Sequence, residues 1–216
     1  MNKWIMAGTA AAFTGAAAFA RSEYERTHLD IVHYDIKTDK LGLEWNGFKA
    51  VFLSDLHDNS FGMKNEELLA AIEKEQPDIV LIGGDMLVVK EWAAPNFDML
   101  ANLYKKLVKR YPVYYAFGNH EQRMKEEPLT YPGWWQSYWK VLKDSDMHVL
   151  VNKSEEIIKN GTAMRISGIT LPRECYRKGR IPSLSVGYID KKIGKASDKN
   201  FELLLAHTPT FAKTYA

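Results

Sequence analysis

Four short stretches of this chain each follow an apolar, β-branched run: Ser54-Asp55-Leu56-His57, Gly83-Gly84-Asp85, Gly118-Asn119-His120-Glu121 and Ala206-His207-Thr208. Each offers oxygen or imidazole donors, and such a set can hold two divalent or trivalent cations side by side. Asp55 and His57, two apart on an extended segment leaving a strand, point the same way and can grip one cation between them. Asp85 follows two glycines that let the backbone turn sharply, and its two carboxylate oxygens suit it to bridge both cations. Asn119 offers an amide oxygen and His207 a neutral imidazole to the second cation. His120 is left over, free to hydrogen-bond a phosphoryl oxygen or to protonate a leaving group. Two cations about 3.5–4 Å apart clamp a phosphoryl group and lower the pKa of a bridging water, giving hydroxide for in-line attack.

The elements that must position these residues follow from the runs before them. Residues 49–53, 78–82, 113–117 and 201–205 are short, near-continuous apolar segments bounded by turn residues, the pattern of buried strands. All four motifs then sit at strand C-termini. Helical stretches over 65–74 and 96–109 separate the first three strands, so parallel pairing through crossovers is expected. In open α/β sheets ligands gather at the C-terminal edge, and four motifs spread over about 150 residues can meet there. Each residue also has a plain reading, since a lone Asp or His after a strand is often a turn former. Four in order are much harder to dismiss in that way.

Asp-x-His, Gly-Asp, Gly-Asn-His-Glu and a later His-Thr-Pro, at these spacings, resemble the calcineurin-like metallophosphoesterase superfamily, from about Leu41 onward. Within it the chain looks like the bacterial membrane-anchored branch with a single phosphoesterase domain. The resemblance implies an α/β fold, a two-layer β-sandwich flanked by helices. It also implies that Asp55, His57, Asp85, Asn119 and His207 are ligands of two metal ions, with manganese, iron and zinc all compatible, and that His120 assists catalysis. Glu121 belongs to the motif in a structural role. Serine/threonine phosphatases continue the Gly-Asp motif into an Asp-Arg pair, and purple acid phosphatases place a metal-binding Tyr three residues after the Asp, where this chain has Val88. A phosphodiesterase or pyrophosphatase-like member is therefore expected. The family also carries a Gly-His-x-His motif beyond the position of His207, and the sequence stops at Ala216 first. The expectation is a fragment, incomplete at its C-terminus; a chain truly ending there would be a metal-poor, inactive scaffold.

The 216 residues are 46% hydrophobic and 26% charged, enough for one domain with a substantial core, and the net charge of +2 balances 29 basic against 27 acidic residues. No basic stripe marks a nucleic-acid surface, which argues against the alternative of a metal-dependent nuclease. The single Cys175 excludes a disulfide framework and a cysteine-rich metal site. Residues 4–20 carry no charge and are dominated by alanine, so residues 1–21 read as a transmembrane anchor or a signal segment, with Ala18-Phe19-Ala20 as a small-x-small cleavage site. An alanine-rich helix packed on the domain is the third reading. An extracytoplasmic catalytic domain is expected, either anchored or secreted after cleavage. Such a domain would meet a phosphoester such as a lipid or lipid-linked nucleotide at the bilayer surface.

Residues 22–45 read as a linker and a lead-in strand over 28–37, and residues 46–216 as the phosphoesterase domain. After the third motif, Trp134, Trp135, Tyr138, Trp139 and Leu142 fall on one helical face, expected to be core. Short alternating strands over 147–151, 155–159 and 163–169 follow, the last two joined by the hairpin signal Asn160-Gly161. The segment 173–182 is rich in Arg and Lys: a solvated loop, or a place where Arg173, Arg177 or Lys178 clamps a substrate phosphate.

Overall fold

The computed structural model describes the backbone of residues 3–177, 179 and 182–215, and side chains from residue 13 onward. Helix α1 (Lys3–Thr27) is followed by an irregular arm over 28–42. Then β1 (Ala50–Leu53), α2 (Glu66–Glu75), β2 (Ile79–Ile82), α3 (Phe97–Val108) and β3 (Val113–Tyr115) alternate, succeeded by α4 (Asn119–Glu126), α5 (Trp134–Lys143) and β4 (His148–Val149). The last part comprises β5 (Lys153–Lys159), β6 (Thr162–Ile169), α6 (Tyr188–Ile193), β7 (Phe201–Ala206) and α7 (Ala212–Tyr215).

Strands β1 to β4 pair in chain order, all parallel, and β5, β6 and β7 form a second sheet with β5 antiparallel and β7 parallel to β6. The period-2 alternation of a strand explains how the two sheets stack. In β2, Val80 and Ile82 join the cluster shared with Leu100, Leu103 and Leu107 of α3, while Ile79 and Leu81 face Met164, Ile166 and Leu205 of the second sheet. Strands β2 and β3 are covered on both faces, which is why they read as unbroken apolar runs, whereas β1, expected to be buried, is an edge strand that leaves Phe52 exposed. The result is the expected two-layer sandwich with helices on the outer face of the first sheet. Asn160 and Gly161 both have positive φ, 48° and 88°, as a two-residue hairpin turn requires. In α5, Tyr138 and Leu142 are fully buried, and Trp134, Trp135 and Trp139 pack partly buried against the same core.

Three N-terminal expectations, the transmembrane helix, the linker from residue 22 and the lead-in strand, are corrected. No helix among the described residues is long and apolar enough to cross a membrane. The uncharged run is short for a bilayer and diluted by Gly8, Thr9, Thr14 and Gly15, and the helix ends on Arg21, Glu23, Glu25 and Arg26, which pair among themselves. Residues 22–27 belong to α1 rather than to a linker. No strand forms over 28–37: Ile31, Val32, Tyr34 and Ile36 are exposed, because alternation makes a strand only where a sheet edge receives it. The arm is tied instead by the Asn59 amide donating to the Arg26 carbonyl at 2.7 Å and by His33 on Glu75 at 2.8 Å.

Candidate metal centre

The sheet ladder runs on past the strands and builds the site. The Gly83 N–H donates to the Leu53 carbonyl and the Ala116 N–H to the Ile82 carbonyl, both at 2.8 Å. Beyond them the N–H groups of Asp55, His57 and Asp58 donate in turn to the carbonyls of Gly84, Asp85 and Met86, at 3.0, 3.1 and 3.1 Å. Asp55, His57, Asp58 and Asp85 all take left-handed backbone conformations, φ 50–57°, which Asp tolerates better than most residues and which clusters at functional sites. Gly84, φ 93°, has no alternative: a Cβ there would lie 2.0 Å from the Gly118 nitrogen. A Cβ on Gly118 would lie 2.2 Å from Asp85 Oδ1, so the second and third loops touch only because both residues are glycine.

Asp85 is the centre of the arrangement. Its side chain is only 3% exposed, and its Oδ2 stands 3.3 Å from His57 Nε2, 3.2 Å from His207 Nε2 and 3.9 Å from His120 Nε2. Oδ1 accepts the His120 backbone N–H at 2.8 Å. Asp55 Oδ1 lies 3.6 Å from His57 Nε2 and 3.9 Å from His207 Nε2. Two sets of ligand atoms, those of His57, Asp85 and His120 and those of Asp55, Asp85 and His207, lie within 4.8 Å of one another and share Asp85. Asn119 completes the ring. Its side-chain oxygen faces His207 Nε2 and Asp85 Oδ2, and turning the amide over would let its nitrogen donate to them at 3.3 and 3.2 Å. Lone pairs aimed at lone pairs, from mixed oxygen and imidazole donors, are what a cation resolves, so the residues present fit a metal pair.

The two histidines nearest the loops are held in opposite senses. His207 Nδ1 lies 3.0 Å from the Gly83 carbonyl, to which it donates, leaving the Nε2 lone pair directed at Asp85. His120 Nδ1 instead accepts the Val89 N–H at 3.0 Å, so in the neutral ring the proton resides on Nε2, facing the site. His207 is thus set to ligate and His120 to donate. In the metal-free protein the His207 Nε2 lone pair takes up a proton, which a bound cation would displace. Burial opposes charge on His207, but the hydrogen bond and charge of Asp85, with Asp55, outweigh it and raise its pKa to about 9. Burial, helped by the charges of Arg123, His57 and His207, keeps His120 below its ordinary value against the pull of Asp85. The Asp85 carboxyl is held low: burial works against it, but the His207 hydrogen bond and the His120 N–H prevail.

Glu121 straps the loops together from behind. Fully buried, it accepts from the N–H groups of Asp85 (2.9 Å), Met86 (3.1 Å) and Gly118 (3.0 Å) and from the Tyr115 hydroxyl (2.7 Å). The Tyr115 hydroxyl lies 2.6 Å from that of Tyr138, which lies 2.9 Å from that of Tyr104. Burial, reinforced by the charge of Asp85, lifts Glu121 to about 7. Asp58 plays a smaller version of this part, accepting the Val88 N–H at 2.9 Å and the Asn96 N–H at 3.4 Å. Every residue singled out from the sequence as a ligand or catalyst is therefore brought to one place. From sequence Asp58 reads only as a turn former or capping residue, and Arg123 is not singled out at all. Arg123 was detectable, since it stands four residues after Asn119 on one helix and shares its face. Arg173 and Arg177 also border the site beside Asn119, with Arg173 paired to Glu127, whereas Lys178 lies outside the described residues. Cys175 is buried and unpaired, its thiol pushed up by burial, which fits a packing role.

A mixed α/β sandwich with a carboxylate shared among three histidines at the strand ends is the architecture of a metallophosphatase. The calcineurin-like phosphoesterase family profile matches residues 48–215, well over half of the chain, and the chain belongs to that family. It is 31% identical over 157 residues to an uncharacterised metallophosphoesterase of Bacillus subtilis, YkoQ, covering 73% of this chain and 52% of that protein. It is 28% identical over 113 residues to the Escherichia coli phosphodiesterase YaeI, covering 51% of this chain and 38% of that protein. A second Bacillus subtilis protein, YpbG, is 20% identical over 158 residues, covering 73% and 51%. The chain thus spans about half or less of the length of the curated relatives it matches.

Proposed function

We propose that this protein is a metal-dependent phosphoesterase that hydrolyses a phosphodiester or pyrophosphate bond at a two-metal site. The observation that carries the reading is the Asp85 carboxylate, buried and approached by three imidazoles of which two can lend a lone pair and one a proton. Asp55 and His57 would hold one cation and Asn119 and His207 the other, with Asp85 available to both. Bound there, a pair of hard or borderline cations supplies Lewis acidity and activates water at neutral pH. The chain supplies the rest. His120 presents Nε2–H to the phosphoryl oxygen or the leaving oxygen, and Val89 and the N-terminus of α4 fix its ring. Glu121 holds the loops at the spacing the ligands need. The name of the Escherichia coli relative supports a phosphodiester substrate.

Purified protein should bind close to two equivalents of Mn²⁺, Fe²⁺ or Zn²⁺ and hydrolyse bis(p-nitrophenyl) phosphate only when loaded. A loaded protein that leaves both this diester and pyrophosphate-linked substrates intact would overturn the reading. Export from the cytoplasm is part of the proposal, supported by the uncharged run over 4–20 and Ala18-Phe19-Ala20. Cell fractionation that recovers the protein wholly from the cytoplasm would remove it.

A further inference from the structure

Arg123 lies one helical turn beyond Asn119, so the two side chains share one face of α4. Facing them, the turn Arg173–Tyr176 packs on α4 and brings Arg173, Tyr176 and Arg177 to the opposite wall of a cleft of about 80 Å³. Three guanidinium-bearing side chains therefore line one small space that has Asn119 in its wall. Only Arg173 has a carboxylate partner, Glu127; among the described residues Arg123 and Arg177 have none. The Tyr176 hydroxyl is buried beside the Leu171 backbone with no well-formed hydrogen bond among the described residues. The Tyr176 ring centroid stands 6.1 Å from that of His207, which joins the cleft to the metal cluster.

Three like charges with one carboxylate among them leave a net positive cleft, and the group that neutralises it is an anion with several acceptor oxygens. Guanidinium forks match phosphate oxygens two at a time, which a single ammonium cannot do. A phosphodiester offers only one anionic phosphoryl group, and that group is engaged at the metal cluster. Unpaired arginines beside the cluster need another. Resting on the phosphoesterase reading above, we propose that this cleft holds a second phosphoryl group of the substrate, adjacent to the one attacked, so that the substrate is a diester of diphosphate. A water oxygen then bonds to one phosphorus while the P–O–P bond breaks. The bridging oxygen leaves with the second phosphoryl group, its charge met by Arg123 and Arg177, and the products are two phosphate monoesters and a released proton.

The test is a ratio. For the Mn²⁺-loaded protein, kcat/KM on UDP-glucose is divided by kcat/KM on bis(p-nitrophenyl) phosphate, for the wild type and for Arg123→Ala, Arg177→Ala and Arg123→Lys. The proposal expects a wild-type preference for UDP-glucose that falls at least about tenfold in each alanine variant, and only partial recovery in the lysine variant. A ratio unchanged in both alanine variants overturns it. Should the wild type turn over neither compound, the activity reading fails on its own, and calorimetry with imidodiphosphate decides the cleft. Binding at least about tenfold weaker in Arg123→Ala supports the cleft, whereas equal affinity in wild type and variants overturns it.

Discussion

The candidate metal site has two unlike walls. The first sheet supplies Asp55, His57, Asp85 and Asn119 from three loops that share backbone hydrogen bonds, left-handed residues and the buried Glu121 strap. The second sheet supplies His207 alone, at the end of β7, steadied by one bond to the Gly83 carbonyl and by the Tyr176 ring. One wall is over-determined, so its geometry is fixed before any ligand arrives. The other is a single imidazole whose protonation state is still adjustable. Each wall carries a titratable group, Glu121 inside the braced one and His207 at the tip of the other.

The sharpest way to break this division is Asp85→Asn, which removes the group both walls share. Metal content should fall towards zero and turnover by roughly 10³-fold, while circular dichroism stays that of the folded protein. Next come His57→Ala and His207→Ala, one on each wall. Each should cost one metal equivalent and roughly 10²-fold in kcat, measurable by elemental analysis beside kinetics; loss of both equivalents from either variant would mean that the walls do not act separately. His120→Gln should keep both metals and lose about 10²-fold in kcat, most of all for substrates with poor leaving groups.

Glu121→Gln attacks the strap. It sets a side-chain N–H₂ against buried donors, for about 2–3 kcal/mol of stability by urea denaturation. The smallest effect is the pH response of metal-free protein. His207, raised from 6.5 to about 9, adds stability that is complete below pH 6.5 and lost as pH rises through 9. Glu121, raised from 4.5 to about 7, acts in the same sense lower down, complete below pH 4.5 and lost by about pH 7. The melting temperature of the chelator-treated protein should therefore fall as pH climbs from 6 to 9, while metal affinity at His207 rises, since cation and proton compete for the same lone pair. His207→Ala should flatten both trends above pH 7.

The over-determined wall is also the legible one. Its inner strands β2 and β3 are buried on both faces, so Ile79-Val80-Leu81-Ile82 and Val113-Tyr114-Tyr115 announce themselves as apolar runs, and the polar residues after them stand out by contrast. The glycines of Gly83-Gly84-Asp85 could be read as a sharp turn, but not as the contact between Gly84 and Gly118, which depends on two loops 34 residues apart meeting. The arm over 28–37 misled because Val32, Tyr34 and Ile36 alternate as a strand does, and alternation carries no information about whether an edge is free to pair. The roles of His120 and His207 depend on what each Nδ1 touches, Val89 in one case and Gly83 in the other. The motifs already assign His207 as ligand and His120 as proton donor, but neither Nδ1 partner is adjacent in sequence, so what orients each ring is visible only in the fold.

The chain of hydroxyls behind Glu121 carries a consequence for how the site opens. The Asp85, Met86 and Gly118 amides end on a carboxylate that is itself bonded to Tyr115 and, through Tyr138 and Tyr104, tied into α5 and α3. Detaching those amides means baring a buried acid and pulling on two core helices at once. Their exchange with deuterium should therefore be as slow as that of the innermost strands, even though Asp55 and His57, a few ångströms away, face solvent.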